Sequence, residues 1–167
     1  MDTLRLGQQN TMLDVVRQLR QMDQMLDRIT SADVPNYEEG TFNPTVRGTN
    51  TPGTGTYVTG ARNGRYTRIG RLVQFELYVS WTDLTGQSGT LGIGGLPFTS
   101  SNAITYPAVA ISEPKNILLS ANHILTGYVQ NNATFVILVQ YPAGGGTATT
   151  VPVDTVGSII IQGVYSI

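Results

Sequence analysis

From Leu72 to Trp81 the chain alternates without interruption between two kinds of side chain. Val73, Phe75, Leu77, Val79 and Trp81 share one parity; Leu72, Gln74, Glu76, Tyr78 and Ser80 share the other. A period of two sends successive side chains to opposite faces of a β-strand. The pattern therefore predicts a long strand with one dry face and one mixed face. Its β-branched and aromatic residues agree with that assignment. Trp81 is expected in the core, and Tyr78 is expected to meet a neighbouring subunit or another sheet edge. Asn63-Gly64, just upstream, is a turn signal. It makes Arg65 to Ile69 a separate shorter strand, or a strand after a bulge.

The N-terminal part follows a different period. Met12, Val15, Leu19, Met22, Leu26 and Ile29 step alternately by three and four residues. This is a heptad seam with Met12, Leu19 and Leu26 at a and Val15, Met22 and Ile29 at d. A helix is predicted over 11–30, with Thr11 as N-cap and Asp14 completing a near capping box. Leu at a with β-branched residues at d favours three or four strands over two. The narrow seam favours self-association over packing back on the chain's own core. Before it, residues 1–10 read as a tail, because Gly7 and Asn10 discourage helix. Leu4 and Leu6 are its apolar anchors and the candidate docking plugs. Residues 31–36 form a linker in which Pro35 forbids continuation of the helix.

Beyond Tyr37 the pattern is all β. Strands are expected at Thr41 to Val46, Thr90 to Ile93, Ala103 to Ile111, His123 to Gln130, Ala133 to Tyr141 and Ser158 to Tyr165. Asn131-Asn132 marks a hairpin. Gly48 to Gly55, Asp83 to Gly89 and Pro142 to Thr150 are loops or turns by composition. Gln162-Gly163 is a candidate bulge. Residues 37–167 thus suit an antiparallel β-sandwich of about eight strands, jelly-roll-like in its turn spacing.

Three segments of this β-region carry a resemblance. Tyr37 to Val46 reads YEEGTFNPTV, Gly64 to Val73 reads GRYTRIGRLV, and Ile93 to Phe98 reads IGGLPF. In this order they resemble segments of bacteriophage tail-fibre and tailspike proteins. The resemblance implies a homotrimeric virion fibre domain, and it names no particular receptor.

Composition narrows the chemistry. Charged residues are 13% of the chain, about half the globular average, so part of the surface is expected to lie against other subunits. A net charge of −1 argues against nucleic acid and anionic membranes as partners. The absence of Cys removes disulfides, thiolate catalysis and Cys-based zinc sites. No apolar run is long enough to cross a bilayer, and no signal-peptide core precedes the helix. Made in the host cytoplasm, the protein would leave it inside a virus particle.

No catalytic or metal site is expected, and no cofactor. His123 is the single histidine. Glu38 and Glu39 are adjacent, so they face opposite sides of an extended chain. Glu76, Asp83, Glu113 and Asp154 are the other acids of the β-region. A glycosidase would need two carboxyls about 5–9.5 Å apart; a pair could form across subunits, but the short chain disfavours it. There is no Gly-x-Ser-x-Gly elbow, and GGGT at Gly144 to Thr147 lacks the lysine of a phosphate-binding loop. Arg62, Arg65, Arg68 and Arg71 recur every three residues. That spacing alternates faces on a strand, so they read as ion-paired or solvated, with an anionic contact as the alternative.

The expected function is that of a phage fibre protein on the tail or capsid exterior. Its N-terminus would dock on another virion structural protein. Its β-domain would bind host surface polysaccharide or lipopolysaccharide through loop-flanking aromatics, with Tyr106, Tyr128 and Tyr141 as candidates. The alternative is a capsid decoration, cement or head-fibre protein. A depolymerase-type enzyme is the third and least favoured reading.

Overall fold

The computed structural model describes residues 3–30 and 37–167. The chain divides into two compact units, Met1–Tyr37 and Glu38–Ile167. The expected linker at 31–36 lies outside the described residues.

The first unit holds a single described element, helix α1 (Thr3–Thr30). It begins at Thr3, so Thr11 is an interior residue and not the N-cap. Leu4, Leu6, Gly7 and Asn10, expected in a tail, lie on the helix. Gly costs only about 1 kcal/mol in a helix interior, and the flanking Leu, Arg and Gln residues are good helix formers. Met12, Val15, Leu19 and Met22 are exposed by 53–72%. Leu13 and Val16 are exposed apolar neighbours that widen the stripe. Leu26 and Ile29 lie on the helix, with side chains outside the described part.

The second unit is a two-sheet sandwich. Its strands are β1 (Tyr37–Phe42), β2 (Thr45–Gly48), β3 (Thr54–Ile69), β4 (Leu72–Thr85), β5 (Leu91–Gly94), β6 (Val109–Lys115), β7 (His123–Val129), β8 (Phe135–Pro142), β9 (Thr149–Thr150) and β10 (Gly157–Ser166). One sheet has the order β1-β3-β4-β10-β6; the other has β2-β5-β8-β7, with β9 paired to β8. The pairings β3·β4, β4·β10, β10·β6, β2·β5, β5·β8 and β7·β8 are antiparallel.

Strand β4 has the two faces its alternation dictates. Val73, Phe75, Leu77, Val79 and Trp81 are at most 3% exposed, and Leu72, Gln74, Glu76 and Tyr78 are exposed. The buried row packs with Ile159, Ile161 and Tyr165 of β10 against Leu91, Ile93, Val129, Val136 and Leu138 of the opposite sheet. Near its end β4 changes parity. Thr56 pairs with Asp83 while Tyr57 pairs with Trp81, so Thr82 is an extra residue. That bulge turns Leu84 inward, where it is 1% exposed.

Several strand boundaries differ from the sequence expectation. The expected strand Thr41 to Val46 is broken at Asn43-Pro44, where the chain passes from β1 in one sheet to β2 in the other. Asn63-Gly64 is not a turn: both residues lie within β3 and pair with β4, Asn63 with Tyr78 and Gly64 with Leu77. The irregularity lies earlier, between Tyr57 and Arg62, around Gly60 with its φ of 75°. The hairpin between β3 and β4 turns at Gly70-Arg71, with Gly70 at φ 59°. Ala103 to Pro107 is irregular, and β6 begins only at Val109. In β10 the register shift against β6 falls between Ser158 and Ile160, not at Gln162-Gly163.

Among the described residues, no buried side-chain nitrogen or oxygen lacks a hydrogen-bond partner. Gln140, 2% exposed, accepts from Ser120 N (2.7 Å) and donates to Thr150 O (2.9 Å). Trp81 Nε1 donates to Asp154 O (3.1 Å). The Tyr165 hydroxyl donates to Phe98 O (3.0 Å) and accepts from Phe98 N (3.3 Å). This fixes the Gly-Leu-Pro-Phe turn to the core. Burial pushes the Tyr165 phenol up to about 12, with the bond to Phe98 opposing the shift and Tyr66 adding to it.

A phenol held above its unfolded value near 10 keeps its proton when the unfolded chain loses its own. Stability from this group is complete below pH 10 and falls as pH rises to about 12. Urea midpoints measured from pH 9 to 11.5 are expected to fall more steeply for the wild type than for Tyr165→Phe. Parallel curves would remove Tyr165 as the cause.

Candidate functional site

The register of β7 on β8 decides which side chains face outward. Val129 pairs with Val136 and Gly127 with Leu138 on the core side. The intervening pairs, Tyr128 with Ile137, Thr126 with Val139 and Ile124 with Tyr141, therefore face away from it. Residues preceding β6 complete this surface. Val129 N donates to Pro107 O (2.9 Å), and Ala108 bridges to Tyr128. That docking sets the Tyr106 ring edge-on to Tyr128, with centroids 5.1 Å apart and planes at 70°.

The three candidate tyrosines thus share one sheet face. Burial, then the neighbouring Tyr106 and Tyr141 phenols, raise the pKa of Tyr128. Tyr106 and Tyr141 are exposed by 53% and 41%, and Ile124, paired with Tyr141, is exposed beside them. Arg47 is the one arginine, lysine or carboxylate in β2, β5, β7 and β8. It lies over the Phe135 ring at 4.3 Å, and burial lowers its pKa. The face offers rings and aliphatic surface with little charge, a chemistry suited to the C–H faces of sugars.

A second constellation lies where the three resembling segments converge. Tyr66 donates to Glu38 Oε1 (2.6 Å), and Arg68 reaches Glu38 Oε2 at 3.6 Å. The Phe98 ring meets Tyr66 edge-on at 5.3 Å and lies under Arg68 at 5.0 Å. Two glycines make the strand approach possible. A Cβ on Gly40 would lie 2.6 Å from the Tyr66 hydroxyl, and one on Gly64 would lie 2.5 Å from the Phe42 ring. Each aromatic ring covers a glycine on the other strand.

The four regularly spaced arginines all have partners within this unit. Arg62 Nε donates to Pro44 O (2.8 Å) and its guanidinium lies over Tyr57. Arg65 pairs with Glu76 at 2.6 Å. Arg68 serves the junction just described, and Arg71 Nε donates to Ile167 O (2.8 Å). His123 Nδ1 lies 2.9 Å from Ala121 O. Among the described residues no three His, Cys, Asp or Glu side chains gather in a way that could hold a metal. Among them, too, no helix is long and apolar enough to cross a membrane.

No family model and no curated protein sequence matches the chain. Among solved structures it is similar to the Dettilon tailspike protein gp208, with a TM-score of 0.62 and 19% identity. The alignment covers 78% of this chain and 24% of the tailspike chain. The chain shares its fold with part of a tailspike. At this identity the likeness concerns the fold, and the chain spans about a quarter of the other protein's length. The mainly β reading with one N-terminal helix stands, as two packed antiparallel sheets and α1.

Sequence reasoning singles out Tyr106, Tyr128 and Tyr141 one by one. Their meeting depends on the bridge from Ala108 to Tyr128, which no local signal announces. The aromatic-over-glycine pairs escape such reasoning. The glycines of EEGTF and NGRYT are the signal for them, since both stand where a strand period continues on either side.

Proposed function

We propose that this chain is a virion attachment protein of a bacteriophage, a homotrimer that binds host surface glycans without performing chemistry. The observation that carries the reading is the fold shared with part of a tailspike. Supporting it are the exposed heptad positions of α1 and the aromatic face of β7 and β8. In this reading α1 trimerises through its seam, and its N-terminal turns, with Leu4 and Leu6, engage another virion protein. The β-domain is displayed outward, and sugar rings stack on Tyr106, Tyr128 and Tyr141. Three sites per fibre turn weak single contacts into useful avidity.

Fluorescently labelled protein applied to host cells tests this. Wild type is expected to bind. Tyr106→Ala and Tyr141→Ala, both at exposed rings, are expected to leave the melting temperature unchanged while at least one reduces binding severalfold through lost stacking. If wild type does not bind and particles lacking the protein are fragile, the protein is a capsid decoration or cement protein instead. Sugar release from host polysaccharide would overturn the non-enzymatic part of the reading.

A further inference from the structure

The mixed face of β4 lies on the sheet opposite the tyrosines, and it is not flat. Three shallow depressions cross it, with volumes of about 560, 470 and 450 Å³. The first is lined by Asn43, Asn63, Arg65, Glu76 and Tyr78, among others. The second shares Arg65 and Glu76 with it and continues to Glu39, Thr67 and Gln74. The third shares Gln74 and runs on to Gln162 and Val164. The shared residues set the three side by side, as a segmented trough in which Arg65-Glu76 and Gln74 stand between neighbouring depressions. The strand registers explain the line-up: Asn63 pairs with Tyr78, Arg65 with Glu76 and Thr67 with Gln74, and Gln162 of β10 lies across from Glu76.

We propose that this trough is a carbohydrate-binding site for a neutral oligosaccharide chain. At its centre Arg65 and Glu76 form an ion pair of 2.6 Å. Their charges cancel, and Glu39 leaves the lining with one carboxylate in excess, which disfavours an anionic chain; together the pair presents guanidinium donors beside carboxylate acceptors, the complement of a vicinal diol. Tyr78, which follows Glu76 on the same face of β4 and is 37% exposed, offers a ring to the C–H face of a pyranose. Asn63, Gln74 and Gln162 supply amides, which both donate and accept. The Asn63 amide is held by its bond to Gly60 O (2.6 Å).

Other occupants fit less well. Nucleic acid needs several cations along its path, and here one arginine faces a carboxylate at contact distance. An added peptide strand needs an open sheet edge, whereas this is a face. A second copy of the chain would have to desolvate the ion pair and re-partner every amide beside it. The proposal rests on the reading of the protein as a glycan-binding attachment protein, but it places a site on the other sheet.

The test is titration of the full-length protein by saturation-transfer NMR. The probes are neutral O-chain oligosaccharides of rhamnose, galactose and glucose, with hyaluronan oligosaccharides as the anionic control. Wild type is expected to bind a neutral chain and not hyaluronan. Tyr78→Ala and Gln74→Ala are expected to weaken binding about tenfold or more, and Tyr78→Phe to retain it. Melting temperatures of these surface variants should match wild type. Binding that survives Tyr78→Ala but is lost in Tyr106→Ala would move the sugar to the other sheet; the attachment reading would stand and the trough proposal would fail. The trough proposal would also fail, with attachment still standing, if wild type bound no neutral chain yet adhered to host cells. A loss of self-association in Tyr78→Ala would overturn the proposal by showing that a second copy covers this face.

Discussion

Phe75→Ala is expected to destabilise the β-domain by about 3–5 kcal/mol, the usual cost of deleting a large core aromatic. Phe75 is 1% exposed and sits in the interior of β4. Its ring meets Tyr165 edge-on at 5.9 Å, and it packs over Gly163 so closely that a Cβ there would lie 2.9 Å from it. The cavity would thus open between the two sheets, over β4 and β10, whose backbones cannot collapse into it without breaking their register. Typical domains have only about 5–15 kcal/mol of stability, so this one change approaches the whole of it. Urea unfolding followed by Trp81 fluorescence measures the loss. A cost below about 1 kcal/mol would show that Phe75 does not anchor the sandwich.

The second large effect concerns α1. Met12, Val15, Leu19 and Met22 are exposed in the single chain, and each such side chain gains about 1.5–3 kcal/mol when fully buried. Leu19 stands near the middle of the seam. In a trimer, Leu19→Asp would bring three carboxylates into one dry layer, where desolvation and mutual repulsion oppose association. Light scattering at micromolar concentration is expected to show three chains per particle for wild type and a lower mass for Leu19→Asp. Far-UV circular dichroism should retain the β signal in both. A wild type that remains monomeric removes the seam as an assembly element.

Where a single period runs unbroken, the structure is legible in the sequence. The two faces of β4 follow from ten residues of alternation, and the heptad stretch lies on a helix. Legibility fails where a residue serves a distant partner. Asn63-Gly64 has the composition of a hairpin turn, yet Gly64 stays in a strand because Phe42 needs the space a side chain would fill. Ala103 to Pro107 has strand-like composition, but its outcome is set by docking onto β7. Gly7 misleads in the opposite direction, since one poor helix former does not outweigh good neighbours.

The candidate surfaces divide along the same line. Tyr106, Tyr128 and Tyr141 can be picked out as aromatics near loops, but their shared face comes from pairing between β7 and β8 and from the Ala108 bridge. The trough on the other sheet is half visible. Gln74, Glu76 and Tyr78 stand on one parity in the sequence. Arg65 and Asn63 join them only through the β3 to β4 register, which the turn-like composition of Asn63-Gly64 hides.

The position of β10 between β4 and β6 also has a meaning in time. β4 spans Leu72–Thr85, and its partner on one side spans Gly157–Ser166. During synthesis β4 and β3 can pair as soon as their hairpin emerges. The other edge of β4, a row of backbone N–H and C=O groups, must wait for β10 to leave the ribosome. Until then the nascent domain presents an open strand edge beside an apolar face, of the kind that recruits other chains. Pairings this distant in sequence also close slowly. The native topology therefore leaves this edge unpaired until β10 arrives, and the docking of β10 is the step that closes it.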